Sequence, residues 1–348
     1  MRRLFSLLAS SALLGTLLMA SVASVTSAAA ASCTETGFIR DSINLTAAQI
    51  GGNVTGSLDA GGCNIGVYYD NTTSGNVTGA DIFGANYFGV LVNGDVGAVA
   101  VNVTGSTIHN IGEQLGFNGT QHGNAIYYRA FGGSASGTIS GNTITAYQKG
   151  GITTNGNVSA TITNNTVTGQ GPVSYIAQNG IQVAYGAKAT VTGNTVSNNA
   201  YTGASLDDSA GILVVGGPAF EVIGCPSPCP YTVNLTIAKN TLTGNDVGIW
   251  LFNADASSNA PTTKTNNTVK FNTISNGAVT NTSGYTLSPA CGYQAGIADN
   301  GKKDLIVNNK ISGFGYTAQV PDCSGSPIPA YLRFIDLSSK ARGVSSNK

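Results

Sequence analysis

The chain has 348 residues with 16 basic and 16 acidic side chains, and only 9% of its residues are charged, compared with about 25% in an average globular protein. This balance excludes a basic surface for nucleic acid and an acidic tail. Hydrophobic residues make up 41% of the chain and 47 residues are glycine, which excludes a disordered chain and, without a three-residue period, collagen. Abundant Val, Ile, Thr, Gly and Asn predict β-structure with many tight turns.

The first 31 residues have the pattern of an export signal. Arg2 and Arg3 give a positive start, an apolar segment follows over 4–25, and small residues over 27–31 fit a cleavage site. A membrane anchor fits less well because Ser and Gly dilute the apolar segment, and a lipid-modified Cys33 fits less well because Ala30 is smaller than a lipobox requires. No later stretch reaches about 18 apolar residues. We predict a secreted, periplasmic or cell-surface protein without a membrane span.

Six cysteines follow the signal segment, and an even number in an exported chain predicts disulfides. Six cysteines allow 15 pairings. Proximity along the sequence favours Cys33–Cys63, Cys225–Cys229 and Cys291–Cys323.

Two short motifs alternate along most of the chain and decide the fold. The first is a small residue followed by Ile or Val, at 89–90, 125–126, 151–152, 180–181, 211–212, 248–249 and 296–297. The second is Asn, any residue, then an aliphatic residue, beginning at Asn142, Asn165, Asn194, Asn240, Asn272 and Asn309. Each repeat predicts two or three short strands that bury their apolar side only when coils stack. The asparagines are expected to turn the chain in the left-handed conformation and to bond to one another along the coil axis.

This pattern resembles the right-handed parallel β-helix superfamily, which includes pectate lyases, polygalacturonases and periplasmic copper-binding proteins. The resemblance covers roughly residues 63–320 and implies an all-β, single-stranded, right-handed parallel β-helix. We expect an N-terminal cap and first coil over 32–62, β-helix repeats over 63–329, and a C-terminal cap and tail over 330–348. Insertions at 217–232, 253–265 and 278–293 are expected to be loops that leave the coil.

Aligned on the small-Ile step, the strands present one face with aromatic, amide and charged side chains. Inward positions hold Ile126, Ile152, Ile181, Ile212 and Ile249, since alternate residues of a strand point to opposite sides. One outward row is Leu91, Tyr127, Thr153, Gln182, Leu213, Trp250 and Ala298, and a second contains Arg129, Asn155 and Phe252. Tyr127, Gln182, Trp250 and His122 are the predicted polysaccharide-binding residues. We expect Tyr127 and Arg129 to be exposed, and leave open whether loops cover Leu213, Trp250 and Phe252.

Carboxylates near the start of successive strands are the candidates for catalysis and for a metal. Asp208 and Asp246 are predicted to act as an acid–base pair, or with Asp207 as ligands of Ca²⁺. The resemblance to lyases implies a basic residue that abstracts a proton, and Arg129 or Lys149 would fill that role. The alternative is that each is a solvated residue at the rim.

The catalytic motifs of the known enzymes are largely missing. Of the polygalacturonase elements, only Asp207-Asp208 and a distant Gln121-His122-Gly123 remain, and the pectate lyase Arg-x-Pro-x-x-Arg element is absent. Two hypotheses therefore stand for a monomer that contacts polysaccharide. It is a polysaccharide lyase or glycoside hydrolase, or it is a non-catalytic glycan-binding or structural protein. Ice or mineral binding through flat Thr rows is disfavoured because the outward rows of this face are irregular.

Overall fold

The computed structural model describes residues 32–112, 116–203, 207–220, 222, 224–276 and 295–313, together with four short strands between 320 and 345. In this part of the chain every regular element is a strand, and no helix is long and apolar enough to cross a membrane. The strands are numbered in chain order.

The N-terminal strands are β1 (Thr34–Arg40), β2 (Ile43–Ile50), β3 (Val54–Asp59), β4 (Ile65–Tyr69), β5 (Val77–Phe83), β6 (Phe88–Asn93), β7 (Ala98–Ala100), β8 (Val103–Thr104) and β9 (Thr107–His109). The central strands are β10 (Asn124–Ser140), β11 (Thr143–Thr145), β12 (Gly150–Thr163), β13 (Thr166–Val173), β14 (Asn179–Ala184), β15 (Lys188–Thr192), β16 (Thr195–Tyr201) and β17 (Ala210–Gly216). The C-terminal strands are β18 (Thr236–Ala238), β19 (Thr241–Thr243), β20 (Val247–Asn253), β21 (Thr268–Lys270), β22 (Thr273–Ser275), β23 (Ala295–Asp299), β24 (Leu305–Val307), β25 (Lys310–Ser312), β26 (Val320–Pro321), β27 (Pro327–Ile328), β28 (Phe334–Asp336) and β29 (Arg342–Ser345).

Successive coils pair in parallel along three faces, which confirms the predicted parallel β-helix. The first sheet contains β4, β6, the start of β10 and of β12, β14, β17, β20, β23 and β28. The second sheet contains the ends of β10 and β12, then β15, β18, β21, β24 and β29. The third sheet contains β9, β11, β13, β16, β19, β22 and β25. At the N-terminal end, β1 and β2 form an antiparallel hairpin, and β2 pairs in parallel with β4.

The core is the aliphatic interior of the coil. The predicted inward isoleucines are in register and fully buried, from Ile126 on β10 to Ile249 on β20. The small residue before each of them has a steric reason. A Cβ added at Gly151 would lie 2.6 Å from the carbonyl oxygen of Gly180 on the next coil, and one at Gly180 would lie 2.7 Å from that of Gly211. A larger side chain at this step would push neighbouring coils apart.

The second motif forms a buried asparagine ladder. Each Nδ2 donates to the Oδ1 of the next ladder residue at 2.9–3.0 Å, from Asn142 through Asn165, Asn194, Asn240 and Asn272 to Asn309. The predicted bonding along the coil axis is therefore confirmed. The predicted left-handed conformation of these asparagines is wrong, because the structure places it one residue earlier, at Gly141, Asn164, Gly193, Lys239, Phe271 and Asn308. The ladder residue itself bonds, and the residue before it turns the chain.

Two of the predicted disulfides are present. Cys33 is bonded to Cys63, which ties the first strand to the first coil, and Cys225 is bonded to Cys229 within the predicted loop 217–232. Cys291 and Cys323, like the predicted insertion 278–293, lie outside the described residues.

Candidate functional site

The outer face of the first sheet has the predicted register. The row Leu91, Tyr127, Thr153, Gln182, Leu213, Trp250 and Ala298 is aligned residue by residue across six coil contacts. The side chains of this row do not share one environment, however. Gln182, Leu213 and Trp250 are half-buried, whereas Tyr127 is only 5% exposed.

The β1–β2 hairpin covers the N-terminal part of this face. Phe38 of the hairpin contacts Phe88 with ring centroids 6.4 Å apart, and Phe88 stacks on Tyr127 at 5.1 Å. These rings belong to a second hydrophobic cluster, which also contains Leu45 and Leu91. The expected exposure of Tyr127 is therefore wrong, because the hairpin packs against the outside of the coil there.

Arg129 is buried with an acidic partner. Its Nε and Nη2 lie 2.9 and 2.8 Å from Oδ2 of Asp95, and its guanidinium lies over the rings of Phe38 and Phe131, 5.1 Å from each centroid. The expected exposure of Arg129 is wrong for the same reason as that of Tyr127. Asp95 and the two rings occupy this guanidinium, which makes Arg129 a poor candidate for a proton-abstracting base.

A chain of polar side chains crosses three coils beside the covered end. Gln182 Nε2 donates to Asn155 Oδ1 at 3.0 Å, and Asn155 Nδ2 donates to Tyr127 Oη at 3.0 Å. Asn155 and Tyr127 are buried and Gln182 is half-buried. The chain fixes the orientation of the Gln182 amide at the surface.

Aromatic side chains lie next to Gln182, towards the C-terminal coils. Trp250 stacks on Phe252 with centroids 4.8 Å apart, and Phe220 of the loop 217–232 packs its edge against Phe252 at 5.3 Å. Tyr185 contacts Phe220 at 6.3 Å. All four rings are half-buried, so the loop covers Phe252 only in part. We call Gln182 and these four aromatic residues the aromatic–amide strip. Sequence reasoning missed Tyr185 and Phe220 because both lie outside the strand repeat.

The predicted carboxylates differ in burial and in hydrogen bonding. Asp246 is fully buried, and its Oδ2 accepts the backbone N–H groups of Tyr201 at 2.7 Å and Ser209 at 3.2 Å. Because Ala210 is aligned with Val247, Asp246 is in register with Ser209 and not with Asp208. Asp208 is 8% exposed and Asp207 is exposed. Asp246 is therefore a buried side chain that accepts two backbone N–H groups, and Asp208, one position out of register with it, is buried as well.

The distance from these carboxylates to Arg129 also disfavours a joint catalytic role. Arg129 is aligned through Asn155 and Ala184 with Val215, three coils further along, which at 4.8 Å per coil is about 14 Å. Asp208 lies seven positions before Val215, or roughly 23 Å along the strand direction. Catalytic carboxylates lie within about 10 Å of each other. Among the residues that the structure describes, no three His, Cys, Asp or Glu side chains form a group able to hold a metal ion.

Lys149 and His122 both make structural contacts. Lys149 Nζ donates to the carbonyl of Ala177 at 3.0 Å. Burial lowers the pKa of the Lys149 ammonium, and the charge of Asp207 opposes this change. His122 is 4% exposed, stacks on Tyr87 with centroids 3.8 Å apart, and its Nε2 lies 3.0 Å from Thr120 Oγ1.

A family model described as "Right handed beta helix region" matches the chain over residues 42–226 and again over 122–262. The two matches overlap within the regular coils, as expected of a repeat. No curated protein and no solved structure gives a significant match.

Proposed function

This chain belongs to the right-handed β-helix family, and from that premise we propose that it is an exported protein that binds a neutral polysaccharide through the aromatic–amide strip. The observation that carries the proposal is the half-exposed stack of Trp250 on Phe252, beside the anchored amide of Gln182. Aromatic side chains offer apolar faces for ring stacking, and a few fixed polar groups orient a ligand. A sugar ring uses both kinds of contact, because it has an apolar face that stacks and hydroxyl groups that form hydrogen bonds.

The dimensions of the strip suit a chain of sugars. Gln182 is aligned through Leu213 with Trp250, so the amide and the indole are two coils apart, which is about 10 Å. Alternate rings of an extended polysaccharide lying along the coil axis would meet the amide and the aromatic stack, with the ring between them over Leu213. The flanking loop 217–232 is fixed by the Cys225–Cys229 disulfide and contributes Phe220.

The charges near the strip favour a neutral polymer. The Arg129 guanidinium is already paired with Asp95, and the Lys149 ammonium lies near Asp207. Each of these two cations already has an acidic neighbour, so neither is an open partner for the carboxylates of a uronate polymer. Export is proposed from the signal pattern over residues 1–31 and agrees with the two disulfides, since disulfides persist in oxidising compartments.

The test uses the tryptophan itself as the reporter. The chain has one Trp, so intrinsic fluorescence reports on Trp250 alone. Titration with soluble neutral glucans, xylans and mannans is expected to shift the emission for at least one of them. Affinity electrophoresis in gels that contain the same polymer should show retardation, and this retardation should be lost in Trp250→Ala and weakened in Gln182→Ala.

The matched control is Phe271→Ala, which removes a 49% exposed aromatic side chain away from the strip. It should leave retardation unchanged. Retardation of Trp250→Ala equal to that of the wild type, or none for any polymer, would contradict the proposal.

A second candidate function is polysaccharide cleavage with Lys149 as the base. Its support is the buried ammonium of Lys149, which donates to the carbonyl of Ala177 and whose pKa is lowered by burial against the charge of Asp207, since a lysine with a lowered pKa suits proton abstraction. Uronate polymers and neutral glycans incubated with and without Ca²⁺ would be read by unsaturated-uronate absorbance and by new reducing ends. Product that the wild type forms and that the variants Lys149→Met and Asp208→Asn do not form would favour the cleavage hypothesis. Binding without product is the expected result.

A further inference from the structure

The third sheet carries an outward surface unlike that of the first. Its first rank is Thr107, Thr143, Thr166, Thr195, Thr241 and Thr273, aligned on successive coils and ending at Lys310. All of these side chains are exposed. The third sheet does not share the irregular outward rows of the first sheet that disfavour a lattice-binding function.

A second rank of hydroxyl groups runs parallel to the first, two residues further along each strand. It consists of Thr145, Thr168, Ser197, Thr243, Ser275 and Ser312, also in register. Neighbouring hydroxyls in this rank approach one another: Ser197 Oγ lies 3.4 Å from Thr168 Oγ1, and Thr243 Oγ1 lies 3.4 Å from Ser275 Oγ. The ranks therefore form a two-dimensional grid of about 4.8 Å along the coil axis and about 6.6 Å along the strands.

The grid is held rigidly from below. The aliphatic residue between the two ranks is buried in every coil, as at Ile144, Val167, Val196, Leu242 and Ile274. In the third sheet, the asparagine directly before each strand from β11 to β25 belongs to the ladder, and its Nδ2 also donates to a carbonyl of an earlier coil, as Asn194 does to Ile162. The predicted insertions 217–232 and 253–265 begin at the ends of strands of the first sheet, and the predicted insertion 278–293, which follows β22 of the third sheet, lies outside the described residues.

The chemistry of the grid selects its ligand. Between Thr143 and Ser275 both ranks contain only Thr and Ser, so no charge is offered to a polyelectrolyte or a lipid headgroup. The ranks contain no aromatic ring for a single sugar chain to stack on. What repeats in two dimensions is a hydroxyl group, with an adjacent methyl group throughout the threonines of the first rank, and a hydroxyl both donates and accepts hydrogen bonds. A surface of this kind suits a ligand that itself repeats in two dimensions and consists of hydrogen-bonding oxygens.

We propose that the two ranks of the third sheet bind the surface of ice. Ordered water bridges polar groups on proteins with little loss of enthalpy relative to a direct hydrogen bond. A rigid grid of hydroxyls orders such water in advance, and so reduces the entropy that binding costs. The proposal does not depend on the aromatic–amide strip, which lies on a different sheet.

The test is partition into slowly growing ice, with the exported chain in dilute buffer and a soluble protein of similar size as reference. The wild type should be enriched in the ice fraction and should suppress recrystallisation of an ice film. Two independent variants, Thr195→Lys and Thr241→Lys, each place a long cation in the middle of the first rank and should lose both effects.

The matched control is Thr190→Lys. Thr190 is also exposed and belongs to the coil of Thr195, but it lies on the second sheet. That sheet has one aligned threonine rank, of which Thr138, Thr236 and Thr268 are only half-exposed, and its neighbouring rank is interrupted by Ala238 and Lys270, so it offers no continuous grid. This variant should behave as the wild type, and far-UV circular dichroism should show all three variants folded. Exclusion of the wild type from ice, or equal losses in Thr190→Lys and Thr195→Lys, would overturn the proposal. Retention on crystalline cellulose or chitin without enrichment in ice would overturn it as well. Trp250→Ala should leave ice enrichment intact, which separates this proposal from the proposed glycan binding.

Discussion

Removing one rung of the asparagine ladder should be among the most damaging single substitutions in this chain. The Asn194 side chain makes four hydrogen bonds while fully buried. Its Oδ1 accepts the N–H of Asn165 at 3.0 Å and the Nδ2 of Asn165 at 2.9 Å, and its Nδ2 donates to the carbonyl of Ile162 and to Oδ1 of Asn240, both at 3.0 Å. Asn194→Ala removes all four.

The size of the loss in stability depends on which hydrogen bonds each partner of Asn194 retains in the variant. Asn165 Nδ2 still donates to Ile139 O, and Asn240 Oδ1 still accepts the N–H of Asn194. The buried N–H of Asn165 and the carbonyl of Ile162 each lose a partner. A hydrogen bond contributes about 1 kcal/mol net, and a buried group left unsatisfied costs about 1–3 kcal/mol. The expected loss in the free energy of unfolding is about 3–5 kcal/mol.

The assay is guanidinium unfolding followed by far-UV circular dichroism and by Trp250 fluorescence. The control is Asn157→Ala, because Asn157 is exposed and its Nδ2 makes a single bond, to Gly133 O at 2.8 Å. This variant should lose no more than about 1 kcal/mol. Equal midpoint shifts for the two variants would show that the ladder is not a main source of stability.

An isosteric variant tests the same bonds by pH. In Asn194→Asp the new carboxylate keeps the acceptor for Asn165 but faces two oxygens, those of Ile162 and Asn240. Burial and these oxygens should raise its pKa in the folded state above the unfolded value of about 3.9. Its stability should therefore be greatest below about pH 4 and should fall as the pH rises through the folded-state pKa. A variant whose unfolding midpoint is independent of pH, relative to the wild type, would contradict this reasoning.

Two further substitutions test other parts of the coil. Phe271 has a φ of 58° and is 49% exposed. Because the left-handed conformation costs a non-glycine residue about 1–2 kcal/mol, Phe271→Gly should raise the free energy of unfolding by about 1 kcal/mol. Guanidinium unfolding measures this change. Burial raises the pKa of the Asp304 carboxyl, which bonds to Asp299, Thr265 and Asn267. Its stabilising contribution is therefore present below about pH 4 and is lost as the pH rises, so thermal melts should show Asp304→Asn more stable than the wild type at pH 8 but not at pH 4.

The fold could be predicted because the residue types of the repeat are set by steric and hydrogen-bonding requirements of stacked coils. A small residue must precede each inward isoleucine where coils approach closely, as at Gly180, and an asparagine must stand where side chains bond along the axis, as at Asn194. These requirements recur together in the coils from Asn142 to Asn309, so alignment of the sequence with itself gives the register of their strands. The outward row from Leu91 to Ala298 follows from the same alignment.

The contacts of the site could not be predicted in this way, because they come from parts of the chain that do not repeat. Asp95 pairs with Arg129 from a turn after β6, Phe38 covers Phe88 from the hairpin, and Phe220 reaches Phe252 from a loop. Nothing in the spacing of the motifs indicates where such segments fold. The burial of Asp246 could not be predicted either, because the backbone N–H groups of Tyr201 and Ser209 that its carboxylate accepts lie outside the repeated motifs.

The same row of one sheet thus contains both buried and accessible aromatic residues, and residue type does not distinguish them. Tyr127 and Trp250 occupy equivalent positions, yet the hairpin buries the first and the loop 217–232 leaves the second half-exposed. On the third sheet no such segment intervenes between the strands and the solvent in the described coils, so the repeat alone determines the surface. A function that needs a periodic surface, such as ice binding, therefore suits the third sheet. A function that needs a concave site, such as glycan binding, suits the first sheet, where the inserted loops border the exposed residues.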